Sequence, residues 1–287
     1  MLPGVILVLV YAYGPMLGLV MAFQKFSPSK GFFGSEWVGM DNFTYILNIP
    51  TFMEVIRNTL VISVFKIALG VLVPVIITLL LNELRMIKFK RSVQTMIYFP
   101  HFLSWIILGG IFIDMLSPSE GVVNKLIAAA GLQPIYFLGD PDWFPGTMIA
   151  TDTWKEAGYG AIVYLAALTG ISPALYEAAQ IDGAGRWSQM RNITLPGIMP
   201  MIMLMSVLAL ANILNAGTNG FEQIFNLYSP QVYKTGDILD TLVFRIGLGN
   251  AQFSVATAMG LIKAVISFVF ISAGYLVAAK WFNYKVL

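Results

Sequence analysis

Hydrophobic residues in this chain gather into long runs separated by short polar connections. Six runs are long enough to cross a bilayer: about Leu2 to Phe23, Val55 to Leu81, Val93 to Leu116, Gly146 to Thr169, Ile198 to Ala216 and Val255 to Ala279. A hydrocarbon core of about 30 Å takes about 20 helical residues to span. Stretches such as Ile67 to Leu81 are apolar on every side, unlike the alternating segments of roughly 10 residues that build membrane barrels, so the runs are read as helices. The pattern predicts an all-α polytopic membrane protein of six transmembrane helices, forming a single domain over residues 1–287. The first run lacks a basic leader and exceeds the length of a signal-peptide core, which makes it a span. Pro15, Gly70 and Pro74 fall inside spans, where kinks are expected if neighbours satisfy the freed backbone groups.

Composition narrows the chemistry. The chain is 57% hydrophobic and 11% charged, whereas soluble domains carry roughly 25% charged residues. There is no cysteine, which excludes disulfides and thiolate chemistry, and the single histidine, His101, excludes a multi-histidine metal centre. A metal site is therefore not expected, and a net charge of +2 gives no reason to expect a nucleic-acid partner. Lysine and arginine set the topology. Arg85, Lys88, Lys90 and Arg91 crowd the connection after the second span, Arg186 and Arg191 follow the fourth, and Lys280 and Lys285 follow the sixth. The opposite connections spread Lys25, Lys30, Arg57, Lys125, Lys234 and Arg245 over about twice the length. Positive charge is retained on the cytoplasmic side, so both termini are expected in the cytoplasm.

The connection over residues 170–197 holds the most specific local chemistry. Ser172 is placed to cap a helix whose first position is Pro173, and Gly183 and Gly185 allow a left-handed exit from it. The expected product is a short, rigid cytoplasmic helix. Ala178 and Ala179 leave one face shallow for close approach by another protein, and Glu177 and Asp182 offer acceptors to that partner. Pro196 and Pro200 fit the first turn of the fifth span.

This segment resembles the EAA loop of binding-protein-dependent ABC importer permeases. That pattern runs Glu-Ala-Ala, two free residues, Asp-Gly-Ala, eight free residues, Ile, one free, Leu-Pro, three free, Pro. All ten fixed positions are matched, by Glu177, Ala178, Ala179, Asp182, Gly183, Ala184, Ile193, Leu195, Pro196 and Pro200. Trp154-Lys155, Tyr164 to Leu168 with Ile171 and Pro173, and Trp37 to Phe43 in the first outer loop are similar to the carbohydrate branch of these permeases. The resemblance implies a type I ABC importer permease fold in the bacterial cytoplasmic membrane, with a coupling helix between the fourth and fifth spans. It implies a transport subunit for oligosaccharides that hydrolyses nothing itself. No Gly-x-x-x-x-Gly-Lys-Ser/Thr phosphate cradle occurs in the chain. ATP and magnesium would be bound by two partner ATPase subunits. The other implied partners are a second permease chain, expected to be non-identical, and an extracytoplasmic solute-binding protein.

Charges inside spans are costly and point to function. Lys66, Lys155 and Lys263 lie in the second, fourth and sixth spans, each roughly 12 to 17 Å from the outer end at 1.5 Å per residue. One reading makes them a cationic girdle that favours an anionic, uronate-containing saccharide; the other has each lysine neutralised locally, as Asp152 and Glu156 beside Lys155 suggest. Trp154, Tyr159 and Tyr164 could stack on sugar rings, and Asn58, Asn212 and Asn215 could bind sugar hydroxyls. Trp154, Lys155, Lys66, Lys263, Tyr159 and Asn212 are the candidate substrate contacts, while His101, after Pro100, is read as structural or interfacial. Two alternatives stay open at this point. An ion-coupled secondary transporter would show internal repeats, and an intramembrane enzyme would have only Asp152 and Glu156 as mid-span acids.

Overall fold

A backbone in hydrocarbon has no water to bond to, so long apolar runs close their hydrogen bonds within themselves as helices. The computed structural model describes residues 2–281; Lys285, counted above among the cytoplasmic charges, lies outside them. Helix α1 covers Leu2–Phe23, with a π turn at Leu9–Tyr13 and a 3-10 stretch from Gly14 onward, where Pro15 enters. A short antiparallel pair, β1 (Gln24–Lys25) and β2 (Glu36–Trp37), leads to α2 (Asp41–Leu47). Helix α3 (Phe52–Glu83) runs for 32 residues straight through Pro74. The proline ring is accommodated by the helix over Phe144–Leu168, where a Cβ on Gly160 would touch Pro74 Cγ at 3.0 Å. Thr78 Oγ1 of α3 donates to the Ala161 carbonyl at 3.1 Å beside it.

The third apolar run, expected as one span, is broken. Helix α4 (Ile87–Phe102) and α5 (Trp105–Leu116) meet at 102°. Pro100 offers no N–H, the chain tightens to a 3-10 turn over Phe99–Phe102, and Ser104 caps the next helix by accepting from Ile107 N–H at 3.4 Å. After α6 (Val122–Ala129) comes α7 (Phe144–Leu168), which turns by 75° into α8 (Pro173–Ile181).

Helix α9 (Arg186–Leu210) also departs from expectation at both ends. It begins before Pro196, so Pro196 and Pro200 are interior rather than in a first turn. A π turn at Met190–Thr194, in which Leu195 N–H donates to Met190, widens the helix just ahead of Pro196. At its far end α9 stops at Leu210, and residues 211–219 are non-helical, although the apolar pattern suggested a span to Ala216. Ala216 and Gly217 both have positive φ there. Among the elements that follow are α10 (Gly220–Leu227), α11 (Leu239–Phe244) and α12 (Phe253–Trp281).

Three buried clusters hold the bundle. One joins the end of α1, α2 and the start of α3 to α11 and α12 through Ile46, Val55, Leu239 and Met259. A second joins α3, α5, α7 and α10 through Ile62, Trp105, Met148 and Ile224. A third, Val75, Tyr164 and Ile198, binds α3, α7 and α9 near the coupling loop. Many outward positions are apolar and exposed, as on Leu9, Leu17 and Val269, which suits a lipid surround.

Candidate functional site

Mid-way along α3 and α7 a cavity of about 420 Å³ opens between α3, α4, α7, α9 and the 211–219 turn. Non-helical backbone at this depth is tolerated only where it is buried in protein or lines a cavity. The 211–219 turn does the latter. It supplies Asn212, Gly217, Thr218 and Asn219 to the wall, and Gly217, at φ +91, lies against Lys66 and Asp152.

The candidate lysines are all paired, so the unpaired cationic girdle does not form. Lys66 is 4% exposed. Its ammonium lies 3.4 Å from Asp152 Oδ1 and donates to Gln223 Oε1. Gln223 is in turn fixed by donating to the Met148 carbonyl at 2.7 Å and to Thr151 Oγ1 at 2.8 Å. Lys155 is buried outside the lining and donates to Glu156 Oε1 and to the His101 carbonyl, both at 2.9 Å. That carbonyl belongs to the broken turn of α4, so Lys155 serves backbone freed by the break. Lys263 pairs with Asp240 of α11, away from the cavity. For Lys66 and Lys155 the physical reason is burial, since a buried ammonium without a counter-charge costs several kcal/mol; Lys263 is only half-buried.

Tyr159 and Asn212 line the cavity as expected, and so does Tyr164. Trp154 points elsewhere, half exposed and edge-on to Phe112. Asn58 is buried against the Lys234 and Asp237 carbonyls, and Asn215 donates to Asn212 Oδ1 at 2.8 Å. His101, read from sequence as structural or interfacial, is in the cavity wall. Its ring stacks on Tyr159 with centroids 3.8 Å apart and planes within 4°. Its Nδ1 is 2.7 Å from Glu156 Oε2, and Asn219 Nδ2 donates to Glu156 Oε1 at 3.1 Å. Sequence reasoning missed His101, Asn219 and Gln223 as site residues. The available signal was the polar and glycine-rich string Asn212, Asn215, Gly217, Asn219, Gly220, which interrupts an apolar run with turn chemistry.

At the opposite end of α7, helix α8 stands clear of the bundle with no buried residue. The expected Ser172 side-chain cap is not made; Leu175 N–H is taken by the Ser172 backbone carbonyl at 3.1 Å. The exit is a Schellman turn: Ala184 N–H donates to Ala179 at 2.8 Å and Gly183 N–H to Gln180 at 3.1 Å, with Gly183 at φ +78. Gly185, at φ −69, needs no left-handed freedom. Glu177, Ala178, Asp182, Pro196 and Pro200 are exposed, while Ala179, Ala184, Ile193 and Leu195 are half-buried. Tyr176 Oη meets Thr194 Oγ1 at 3.0 Å and Gln189 Nε2 donates to the Ala184 carbonyl at 2.9 Å, tying α8 to the start of α9. Arg186 reaches Glu83 at the end of α3 at 3.4 Å.

Comparison with known proteins agrees with this geometry. Residues 70–283 match the family of binding-protein-dependent transport system inner membrane components. The chain belongs to that family. It is 41% identical to the polygalacturonan/rhamnogalacturonan transport system permease protein YteP of Bacillus subtilis (strain 168), over 98% of this chain and 86% of the relative. Protein LplB of the same organism is 39% identical over 98% of this chain and 87% of its own length. A solved bacterial ABC transporter involved in the import of the acidic polysaccharide alginate matches with TM-score 0.89 and 40% identity, covering 98% of this chain and 93% of that one. The fold is therefore that of a type I ABC importer permease, and the chain is a multi-pass transport subunit of the cytoplasmic membrane.

Proposed function

We propose that this chain is the permease subunit of an ATP-driven importer for oligosaccharides that carry uronic acid units. The observation that carries the coupling half of this reading is α8: an exposed helix bearing Glu177, Ala178 and Ala179, with Asp182, Gly183 and Ala184 in its exit turn, bonded there to α9 and joined at its entry to α7 through a 75° turn. A partner ATPase that seats α8 would move α7 and α9 as rigid levers, and those helices form two walls of the cavity. ATP and magnesium bind on the two partner ATPase subunits, a solute-binding protein delivers the sugar from outside, and a second, non-identical permease chain completes the pathway. Both termini face the cytoplasm, on the side of Arg85, Lys88, Lys90 and Arg91.

The substrate class rests on the relatives, whose names specify polygalacturonan, rhamnogalacturonan and acidic alginate. The cavity supports a saccharide through an aromatic face at Tyr159 and amides at Asn212 and Asn219, the mixture that binds a ring's C–H face and its hydroxyls. Lys66, paired to Asp152, balances charge in the wall, Lys155 and Lys263 are held by Glu156 and Asp240, and Trp154 packs on Phe112. The test is uptake by proteoliposomes holding both permeases, both ATPases and the binding protein. ATP-dependent accumulation of a galacturonate oligosaccharide is expected. Uptake driven by an ion gradient without the ATPases would overturn the assignment.

A further inference from the structure

The cavity wall is balanced in charge, and one side chain can tip the balance. From α3 the wall receives Lys66, and from α7 it receives Asp152, Glu156 and, behind the surface, Lys155. The lining residues of α9 and the 211–219 turn include Met205, Leu208, Asn212 and Asn219 but no charged group. Two ammonium groups thus face two carboxylates through direct pairs, Lys66 with Asp152 and Lys155 with Glu156. His101 is the remaining titratable cation among the described lining residues.

The position of its ring is set twice over, by the Tyr159 stack at 3.8 Å and by the 2.7 Å bond to Glu156. Glu156 also accepts from Lys155 and Asn219, and a carboxylate has only acceptors to offer, so Nδ1 is assigned as the donor in its bond to Glu156. Nε2 has no hydrogen-bond partner among the described residues, and the side chain is 26% exposed. When the ring is neutral, Nε2 presents a lone pair that can take a sugar hydroxyl. When the ring is protonated, the same nitrogen becomes a donor and the wall gains its one net positive charge.

We propose that His101 is the specificity-determining residue of this cavity: its Nε2, as an imidazolium donor, receives the carboxylate of a uronate unit, with Glu156 and Tyr159 as positioning residues. The proton comes from water in the cavity and returns to water when the sugar leaves. This deepens the saccharide reading above and depends on it. A carboxylate is thereby accepted with no unpaired lysine in the wall. A neutral sugar has no use for that charge.

The test uses the complete importer in proteoliposomes, comparing a galacturonate trisaccharide with a galactose trisaccharide. His101→Asn keeps an amide donor near the Nδ1 position for Glu156 but removes the reading nitrogen. His101→Gln keeps an uncharged donor near the Nε2 position. In His101→Asn the ratio of uronate to neutral uptake is expected to fall about tenfold, the worth of a charge-assisted bond. In His101→Gln part of that ratio returns. A wild-type ratio in both variants would overturn the role of His101 while leaving the saccharide reading intact. Failure of the wild-type importer to carry either trisaccharide would overturn the saccharide reading itself. Loss of both substrates from both variants, with the importer assembled, would make His101 structural and also overturn the proposal.

Discussion

Replacing Gly158 by alanine should destabilise the importer and disable its cavity, although the change adds one methyl group to a helix. Gly158 is where α7 lies directly on the backbone of α4: a Cβ there would sit 1.9 Å from the Ile97 carbonyl oxygen and 2.5 Å from its carbon. Ordinary contact begins near 3.4 Å, so the two backbones must separate by about 1.5 Å or α7 must rotate. Overpacking of this kind typically costs about 1 to 3 kcal/mol. The same displacement strains the bonds just beyond it, from Lys155 to the His101 carbonyl at 2.9 Å and from His101 to Glu156 at 2.7 Å. Charged hydrogen bonds add about 1.5 kcal/mol or more each when lost. Against this, alanine gains up to about 1 kcal/mol over glycine in helix propensity. The net expectation is a loss of about 2 kcal/mol or more. Gly146, on the same helix with nothing within 4 Å of its built Cβ, receives only the propensity gain. The assay is heat-induced unfolding of the purified complex, read beside substrate-stimulated ATPase. Gly158→Ala should melt several degrees lower with stimulation lost, and Gly146→Ala should melt at or above wild type. Equal melting of the two variants would refute the steric argument.

Two further outcomes follow from the geometry. Lys66→Met strands the buried Asp152 carboxylate, and breaking such a pair costs about 3 to 5 kcal/mol; the double variant with Asp152→Asn should recover most of the folded yield after detergent extraction, and a single variant as stable as the double would deny the pairing. In the coupling segment, Gly183→Pro cannot adopt φ +78 and deletes the donor to Gln180. That variant and Glu177→Lys should abolish ATPase stimulation while membrane insertion persists. Gly185→Ala, at φ −69 with open space around it, should behave as wild type.

The sequence alone determined the membrane class, the helical character of the apolar runs and the short helix that begins at Pro173. These are properties of contiguous residues: twenty apolar side chains in a row leave a backbone one solution in hydrocarbon, and the run from Glu177 to Pro200 is read along the chain. The Pro100 break and the early end of α9 were partly written in Pro100, Gly217 and the asparagines. Their consequence was not, because whether a proline or a polar string kinks, caps or unwinds a helix depends on what packs beside it. Only tertiary structure decided the charges. Lys66, Lys155 and Lys263 look alike in sequence, at similar depth in alternate spans, yet each has its own partners: Asp152 on α7 for Lys66, the adjacent Glu156 with the His101 carbonyl for Lys155, and Asp240 on α11 for Lys263. Pairing energy falls off within a few ångströms, and which side chains come that close is fixed by helix rotation and by small residues such as Gly158 and Gly160. The same packing put His101, which the sequence places simply after Pro100, into the cavity wall against Tyr159 and Glu156.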